Sequence, residues 1–450
     1  MCMPRAADRA GEYATEAVAR GAAAVVLVGV ETEVEGVAVL RLPDMAQLGC
    51  LLRRWYGTER TSTLLTGITG TDGKTSVCWM LRQALSRMGR DSWGCGTLGV
   101  VRDAGQIESL ANTTPSLLRL HALLAEAQAA GVTDLVMEVS SHGIAQQRIA
   151  GLDFAAAIWT TLGHDHLQDH GGFDAYARTK AGFIRTQQAL GRPVIANADD
   201  AQMAHYLSDP VLRYGHGLYR TSLAMAWEQE LPGFVRLNDG KREIVVEDIP
   251  LGEFHAENIA CVATYLRYVR GVEMQALPEL LSGLTAPPGR LEPLPTLGDW
   301  QVFVDYAHTP EAMARCLKVA RELTRGRLLL VFGCGGERDR AKRPELGRVA
   351  VELANLVWIT SDNPRGEAPE VIASEIEAGM PRPYAAEVHL QLDRERAIAE
   401  AVAELRAGDT LVIAGKGHEN YMEVGGVRLP WSDRAIAARY LERKGYAQCA

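Results

Sequence analysis

A glycine-rich loop between a strand and a helix is the feature that most constrains this chain. Residues 63–68 form an apolar run typical of a buried strand, and residues 77–86 have a helical pattern. Glycines let backbone N–H groups turn toward a phosphate, and the helix N-terminus adds positive potential. The pattern therefore predicts a phosphate loop, whose residues are Gly70, Thr71, Asp72, Gly73, Lys74, Thr75 and Ser76.

The side chains of the phosphate loop suit a nucleotide with bound Mg²⁺. Lys74 would reach the terminal phosphates, and the hydroxyl of Thr75 or Ser76 would hold the metal ion. The first glycine of the common GxxxxGK[ST] spacing is displaced, since Ile68 takes its place and Gly67 lies one residue earlier. The alternative is a glycine-rich turn without a ligand, but strand, loop, Lys-Thr and helix follow in the order that a nucleotide site requires.

Strand-like runs alternate with helical patterns along most of the chain, which predicts an α/β fold with mostly parallel sheets. A hairpin is expected where short alternating runs flank the turn sequence Asn238-Asp239-Gly240. With 450 residues the chain can form two to four domains of roughly 100–200 residues each. We predict a small N-terminal unit (1–60), a central unit with the phosphate loop (61–292) and a C-terminal α/β unit (293–450).

Composition excludes several classes of protein. The net charge of −9 argues against nucleic-acid binding, which uses a basic face. The eight cysteines form no CxxC pairs, so neither a disulfide framework nor a structural metal is expected. No apolar run reaches the roughly 18 residues of a membrane span, and the first 20 residues lack a signal peptide's apolar core. We therefore expect a cytoplasmic protein without membrane partners.

A carboxylate and several histidines follow two apolar runs of the central unit. Glu138 ends the first run, and His166 lies in a loop after the second. The carboxyl ends of parallel strands are where open α/β sheets bind ligands. Glu138 and His166 are therefore candidate Mg²⁺ ligands. Lys180, on the helical stretch that follows, has the character of a solvated surface charge when judged from the residues alone.

A second candidate site lies in the C-terminal unit, around the segment Asp362-Asn363-Pro364-Arg365. Arg365 follows a strand and a rigid proline, and its guanidinium is a fork donor suited to a carboxylate. Arg338 offers another such donor, while Asp362 and Glu419 could hold an ammonium group. A site with both signs of charge suits an amino acid with two zwitterionic ends, and the alternative is an exposed turn with a solvated arginine.

Many of these segments together resemble the Mur ligases, which build the peptide of bacterial cell walls. The loop GTDGKT resembles the GTNGKT loop of that family, and the MurE branch is the most similar. The resemblance spans roughly residues 10–445 and is carried by residues 70–75, 112–115, 137–142, 165–166, 289–292, 304–310, 332–336, 338–339, 342–344, 362–365, 414–419 and 432–434. It implies a three-part architecture with a central P-loop ATPase domain and a Rossmann-like C-terminal domain.

The resemblance implies an ATP-dependent amide ligase that phosphorylates an acceptor carboxylate, after which an amino acid's amine attacks. Lys74 and Thr75 are similar to the residues that hold the ATP phosphates and one of two Mg²⁺ ions, and Glu138 and His166 to metal ligands. Lys180 is similar to a family lysine that CO₂ converts to a carbamate, which turns a cation into an anion able to face Mg²⁺. Further ATP contacts are implied for Asn258, Arg290, Asp305 and His308.

The resemblance also implies the two substrates. The pocket for the glutamyl end of the acceptor peptide would consist of Asn112, Thr113, Thr114, Ser140, Gln146 and Arg148. The amino-acid site would consist of Arg338, Asp362, Asn363, Arg365, Gly415 and Glu419. Asp362-Asn363-Pro364-Arg365 is the form of this segment associated with meso-diaminopimelate, and family members act as monomers.

The chain departs from the family mainly at its front, where only 69 residues precede Gly70. We expect a shortened N-terminal domain that lacks the half with the uridine contacts. Three hypotheses follow: a MurE-type ligase that adds meso-diaminopimelate to UDP-MurNAc-L-Ala-D-Glu; a MurE-like ligase acting on a peptide or polymer-derived acceptor without UDP; and a non-catalytic nucleotide-binding relative. Retained Lys74, Glu138, His166 and Lys180 argue against the third hypothesis.

Overall fold

The computed structural model describes residues 9–102, 107–163, 170–218, 220, 222–229 and 231–449. It contains two compact units, which are described separately: Met1–Ile249 with Phe254–Leu284, and Pro250–Glu253 with Thr285–Ala450. The division into three domains at residues 60 and 292 stays a prediction. Within the described residues, no helix combines the length and the apolar character that crossing a membrane requires.

The first unit begins with a small α/β layer. It consists of α1 (Ala10–Ala19), β1 (Ala24–Val28), β2 (Ala38–Leu42) and α2 (Met45–Trp55). The two strands pair in parallel. The carboxylate of Asp44 accepts a hydrogen bond from the N–H of Gln47 and so caps α2.

A large mixed sheet forms the centre of the first unit. Its described strands are β3 (Leu64–Thr69), β4 (Ser92–Gly96), β5 (Gly99–Val101), β6 (Ile107–Glu108), β7 (Asp134–Glu138), β8 (Phe154–Trp159), β9 (Val194–Asn197), β10 (Leu212–His216), β11 (Met225–Glu228), β12 (Val235–Asn238) and β13 (Glu243–Val246). Their order across the sheet is β13-β12-β11-β10-β9-β8-β3-β7-β4-β5-β6. The middle strands are parallel, and β12 and β13 form the predicted antiparallel hairpin.

Helices cover both faces of this sheet. They are α3 (Lys74–Arg87), α4 (Leu117–Ala129), α5 (Ser141–Ala145), α6 (Phe173–Ala189), α7 (Glu253–Tyr268) and α8 (Leu277–Leu281), with 3₁₀ turns at Met203–His205 and Met274–Ala276. Ile68 of β3 packs in the core beneath α3 and α7, and Leu65 packs in the core beneath α4 and α6. The strand is therefore buried on both sides, which explains its continuous apolar sequence.

Strand β3 lies between β7 and β8, and all three are parallel. Their carboxyl ends therefore lie at one edge of the sheet. The phosphate loop, Glu138 and the segment after Trp159 follow these three strands. This topology explains why residues far apart in sequence meet at the same edge.

The second unit has a sheet of β14 (Glu292–Pro293), β15 (Gln301–Asp305), β16 (Leu328–Phe332), β17 (Leu356–Ile359), β18 (Glu387–Leu390) and β19 (Thr410–Ala414). The order of the described strands is β14-β15-β19-β16-β17-β18, and only β14 pairs antiparallel. A separate hairpin is formed by β20 (Tyr421–Val424) and β21 (Val427–Pro430). The helices are α9 (Pro310–Leu323), α10 (Lys342–Leu353), α11 (Pro369–Glu377), α12 (Arg394–Glu404) and α13 (Asp433–Cys449).

Candidate active site

The phosphate loop joins β3 to α3 and is held from the segment after β8. The N–H of Thr71 donates to the carbonyl of Thr161 (2.9 Å), and the N–H of Asp72 donates to the hydroxyl of Thr161 (2.9 Å). Gly73 precedes α3 with a positive φ of 81°, so a glycine suits this position. The first N–H groups of α3 lack intrahelical partners, as at every helix start, which leaves donors for an anion.

Two lysines converge on one backbone carbonyl of the phosphate loop. The ammonium of Lys74 donates to the carbonyls of Gly70 and Thr71, each at 2.8 Å. The ammonium of Lys180, on α6, donates to the same carbonyl of Gly70 at 2.7 Å. Lys180 is fully buried, and its Nζ lies 4.6 Å from the centre of the Tyr176 ring. The structure therefore places Lys180 at the loop, whereas the sequence alone indicated a solvated charge.

The carboxylate of Glu138 is buried beside the loop and is held on both oxygens. Oε2 accepts from the hydroxyls of Thr75 (3.0 Å) and Thr97 (3.1 Å), and Oε1 accepts from the N–H of Thr97 (2.8 Å). A side chain at Gly96 would collide with this carboxylate. Glu138 is therefore fixed in one orientation by Gly96 of β4 and by Thr97, which follows this strand, as well as by Thr75 of the loop.

The predicted Mg²⁺ ligands are described only in part. Thr75 and Glu138 lie together and offer oxygen donors, the type that a hard cation prefers. His166 lies outside the described residues. Among the residues that are described, no three His, Cys, Asp or Glu side chains gather in a metal-binding arrangement. The oxygen donors of Thr75 and Glu138 are of the chemical type that would suit Mg²⁺.

The residues predicted for the acceptor join the same network. The hydroxyl of Thr113 lies 3.1 Å from that of Thr97, and the hydroxyl of Thr114 lies 3.0 Å from the Glu138 carbonyl oxygen. Thr114 also contacts Ser140, and Arg148 donates to the Thr114 carbonyl and to Gln146. Asn112 lies exposed in the segment before them. One hydrogen-bond network thus connects Thr75, Glu138 and the predicted acceptor pocket.

The predicted adenine contact, Asn258, also lies near the loop. A Cβ built on Gly73 would lie 3.1 Å from the Oδ1 atom of Asn258, which is buried on α7. The proximity explains a second constraint on Gly73, because a larger residue would press against this amide.

Three more predicted nucleotide contacts lie in the second unit, around Tyr306. The carboxylate of Asp305 accepts from the N–H groups of Leu291 and Ala307 (both 2.6 Å). The guanidinium of Arg290 lies 4.7 Å from the centre of the Tyr306 ring, and the ring of His308 lies at the same distance. Burial, and then the charge of Glu419, raises the pKa of Tyr306 to about 12.

We use the name Lys416 cluster for Asp362, Asn363, Lys416 and Glu419, which meet at the carboxyl ends of β17 and β19. The Nζ atom of Lys416 donates to Asn363 Oδ1 and Glu419 Oε2, both at 3.0 Å, and lies 3.7 Å from Asp362 Oδ1. Lys416 is fully buried. The carboxylates predicted to hold an ammonium group therefore hold one from the chain itself. Gly415 has a φ of 106°, and a Cβ there would lie 2.8 Å from an oxygen of Asp362.

The two predicted carboxylate-binding arginines lie beside Gly335. Arg365 donates to the Gly336 carbonyl (2.7 Å), and its Nε lies 3.4 Å from Glu423. Arg338 is exposed, and its Cγ lies 3.6 Å from where a Cβ of Gly335 would be. Two nitrogens of the Arg365 guanidinium thus already have partners in the protein, whereas Arg338 is exposed to solvent.

A fully buried ion pair supports these strand ends. Arg394 pairs with Asp433 (2.8 and 2.7 Å) and donates to the carbonyls of Ala414 (2.8 Å) and Ser361 (3.2 Å). Burial disfavours the charge of Asp433, yet Arg394 holds its pKa below the usual value. Because Ser361 and Ala414 directly precede the Lys416 cluster, the pair fixes the backbone from which the cluster projects.

Four residues contribute to these sites without having been predicted from the sequence: Thr97, Tyr306, Lys416 and Arg394. Tyr306 and Lys416 lie inside segments that carried the resemblance, so their position was a signal. Thr97 follows the short glycine-rich strand β4, which pairs with β7, and so it lies beside Glu138 at the end of β7, where the chain reverses into β5. Arg394 carried no local signal, because its partners come from three distant segments.

Comparison with known protein families agrees with the fold and the sites described above. Residues 68–266 match the model of the Mur ligase middle domain, and residues 289–417 match that of the Mur ligase, glutamate ligase domain. The chain belongs to the Mur ligase family.

Named relatives cover nearly the whole chain. A protein of Gloeobacter violaceus named UDP-N-acetylmuramoyl-L-alanyl-D-glutamate--2,6-diaminopimelate ligase is 38% identical, over 96% of this chain and 88% of its own. A protein of the same name from Ectopseudomonas mendocina is 38% identical over 94% and 87%. A solved structure of a ligase of that name superposes with a TM-score of 0.66 at 31% identity, covering 96% and 89%.

Proposed function

We propose that this chain is an ATP-dependent ligase that adds meso-diaminopimelate to UDP-N-acetylmuramoyl-L-alanyl-D-glutamate. The observation that carries the proposal is the network in which Thr97 contacts both Glu138, beside the phosphate loop, and Thr113 of the predicted acceptor pocket. A carboxylate in that pocket would lie close to the loop. The identity of both substrates is supported by the names of relatives that match almost the whole chain.

In the proposed reaction the acceptor carboxylate takes the γ-phosphoryl group of ATP, which forms an acyl phosphate and ADP. The amine of the incoming amino acid then attacks the acyl carbon, and phosphate leaves as the amide bond forms. The N–H groups at the start of α3 and the ammonium of Lys74 would hold the phosphates of ATP, because both are fixed donors facing the loop. Further contacts to ATP are proposed for Asn258, Arg290, Asp305 and His308. These roles place phosphate binding on the backbone and Lys74.

Thr75 and Glu138 would hold Mg²⁺, together with His166. A bound Mg²⁺ supplies charge neutralisation for the crowded phosphates. We further propose that Lys180, as a carbamate, contributes an anion at the same position. Thr97 keeps the carboxylate of Glu138 aimed at the loop through two hydrogen bonds.

The substrates would be held by two separate groups of side chains. The acceptor peptide is assigned to Asn112, Thr113, Thr114, Ser140, Gln146 and Arg148. The amino acid is assigned to Arg338, Asp362, Asn363, Arg365, Gly415 and Glu419, which offer both signs of charge to an end that carries an ammonium and a carboxylate.

Phosphate release tests the proposal. The purified protein is incubated with ATP, Mg²⁺ and meso-diaminopimelate, together with either UDP-MurNAc-L-Ala-D-Glu or the free dipeptide L-Ala-D-Glu. We expect turnover with the UDP acceptor and a ligated product of the corresponding mass. Turnover with the free dipeptide alone would assign another acceptor, and no turnover with either would reject ligase activity.

A second experiment tests the carbamate. Lys180→Ala should lose most activity, and added acetate should restore part of it, because a small carboxylate can take the place of the missing anion. Lys74→Met is the matched control, since acetate cannot replace a cation and should not restore that variant. Full activity of Lys180→Ala would contradict the proposed role.

A further inference from the structure

Lys416 is a fully buried cation that the proposed chemistry leaves without a role. Gly415 separates it from the end of β19, and its ammonium is surrounded by oxygens of three side chains. A buried lysine is costly unless its charge is paired and its donors are satisfied. Here both conditions are met by residues assigned above to the amino acid, so the lysine belongs to that site.

The contacts of Lys416 fix the amide of Asn363. Its Oδ1 atom accepts from two donors, the ammonium of Lys416 (3.0 Å) and the N–H of Glu423 (2.9 Å). Two donors at one atom identify it as the oxygen, so the Nδ2 atom must lie on the opposite side. There it donates to Glu419 Oε2 at 2.8 Å. Lys416 thus sets the orientation of an amide and, through it, of a carboxylate.

The same lysine sets the charge of the cluster. Asp362 and Glu419 contribute two negative charges, and Lys416 cancels one of them at close range. Glu419 Oε2 is occupied by Lys416 and Asn363, which leaves Oε1 without a hydrogen bond among the described residues. The cluster therefore offers an incoming ammonium one available carboxylate oxygen and a single net negative charge. An uncancelled second charge would repel the carboxylate of the same amino-acid end.

We propose that Lys416 is the positioning residue that makes the amino-acid site selective for an end carrying both an ammonium and a carboxylate. It orients Asn363 and Glu419, and it limits the negative charge so that a neighbouring substrate carboxylate is tolerated. The inference rests on the proposed function and names the feature that separates meso-diaminopimelate from L-lysine, whose side chain ends in an ammonium alone.

Two substitutions separate geometry from charge. Lys416→Met keeps the length of the side chain and removes both donor and charge. Lys416→Gln keeps a donor and removes the charge. Lys318→Met, at an exposed position of α9, is the control for the loss of a lysine. Kinetics are measured for meso-diaminopimelate, L-lysine, ATP and the UDP acceptor, and thermal unfolding shows whether each variant is folded.

We expect Lys416→Met to raise the KM for meso-diaminopimelate about tenfold to a hundredfold, the effect typical of losing hydrogen bonds from a charged donor. Its kcat and the KM for ATP should change less than about threefold, because no donor at the phosphate loop is altered. Lys416→Gln should recover part of the KM. Both variants should lower the preference for meso-diaminopimelate over L-lysine by about tenfold, since neither restores the charge.

Two results would overturn the inference while leaving the ligase activity in place. One is an unchanged KM and preference in a folded Lys416→Met variant. The other is an equal loss of kcat with both amino acids, which would indicate general damage to the fold. Absence of turnover in the wild type would reject the proposed function instead. In that case, calorimetric titration of meso-diaminopimelate into wild type and into Lys416→Met tests the inference. It is overturned when the two proteins bind the amino acid equally or when neither binds it.

Discussion

The phosphate loop and the Lys416 cluster both hold a lysine ammonium, but they hold it differently. Within the described part of the chain, Lys74 donates to two backbone carbonyls of its own loop and to no side chain. Lys416 donates to the side chain of Asn363, from a distant segment, and to that of Glu419, three residues along its own segment, and it is fully buried. A ligand phosphate can therefore take over Lys74 without leaving any charge unpaired. A change that removes the charge of Lys416 leaves the buried Asp362 and the half-buried Glu419 without their cation. The contacts of Lys74 can therefore be exchanged for contacts with a ligand, whereas the contacts of Lys416 are a permanent part of the fold.

The largest expected effect comes from the ion pair that supports the Lys416 cluster. Asp433→Ala should lower the free energy of unfolding by about 3–5 kcal/mol, because it leaves the charge of Arg394 buried and unpaired. The double variant Asp433→Ala/Arg394→Met should recover a large part of this loss, since it removes both charges. Urea unfolding measures both variants. A double variant that is no more stable than the single one would show that lost packing, not charge, is responsible.

At the phosphate loop the same kind of change should affect activity and not stability. Lys74→Met should lower kcat/KM by roughly a hundredfold to a thousandfold, the range for a lost donor to developing charge. Its melting temperature should stay within about 2 °C of wild type, because the Gly70 carbonyl keeps the ammonium of Lys180 as a donor and the carbonyl of the half-buried Thr71 can bond to water. Steady-state phosphate release measures kcat/KM, and thermal unfolding measures the melting temperature. A clear fall in the melting temperature of Lys74→Met would contradict the proposed difference between the phosphate loop and the Lys416 cluster.

An intermediate effect is expected where a side chain would enter the Glu138 site. Gly96→Ala places a methyl group against the carboxylate of Glu138 and should lower kcat/KM about tenfold, as expected for a misplaced metal ligand. Gly94→Ala is the matched control in the same strand, since its nearest neighbour would lie 3.4 Å away, an ordinary contact. Equal activity of the two variants would contradict a role for the orientation of Glu138.

The smallest effect concerns pH and the salt bridge between Arg343 and Glu367. Arg343, and then the N–H of Glu337, lowers the pKa of Glu367 from 4.5 to about 2. The carboxylate therefore adds stability above pH 4.5, and this contribution is lost as the pH falls from 4.5 toward 2. Wild type should lose more stability over that interval than Glu367→Gln, measured by urea unfolding. Glu370→Gln, at an exposed position of α11, should behave like wild type, and parallel curves for all three would contradict the assignment.

The sequence was sufficient for the fold wherever apolar runs were long and buried. Residues 328–332 and 410–414 are such runs and form strands over those bounds, because a parallel strand covered on both faces has few polar side chains. The short edge strands β5 and β6 were not predicted, since two or three residues carry no period. Family membership, predicted from ordered motifs, is confirmed by the matching domain models.

The two sites differed in how far they could be predicted. The phosphate loop is contiguous, so its glycines, lysine and hydroxyls appear together in sequence. The partners of Lys416 are Asp362, Asn363 and Glu419, and the first two lie far from it in sequence. They meet because β16 lies between β17 and β19, which brings the carboxyl ends of these parallel strands to one edge of the sheet. For this reason Asp362 and Glu419 were predicted as partners of a substrate ammonium, while the ammonium that they hold in the structure was overlooked.

The buried pair of Arg394 and Asp433 also has a consequence for the order in which the chain matures. Arg394 is synthesised 39 residues before Asp433, its partner. Until the start of the last helix leaves the ribosome, the arginine has no counter-ion for a buried position, so the sheet cannot close around it without a large penalty. The second unit should therefore reach its native state only after residue 433 has left the ribosome, and nascent chains that end before residue 433 should stay sensitive to proteases.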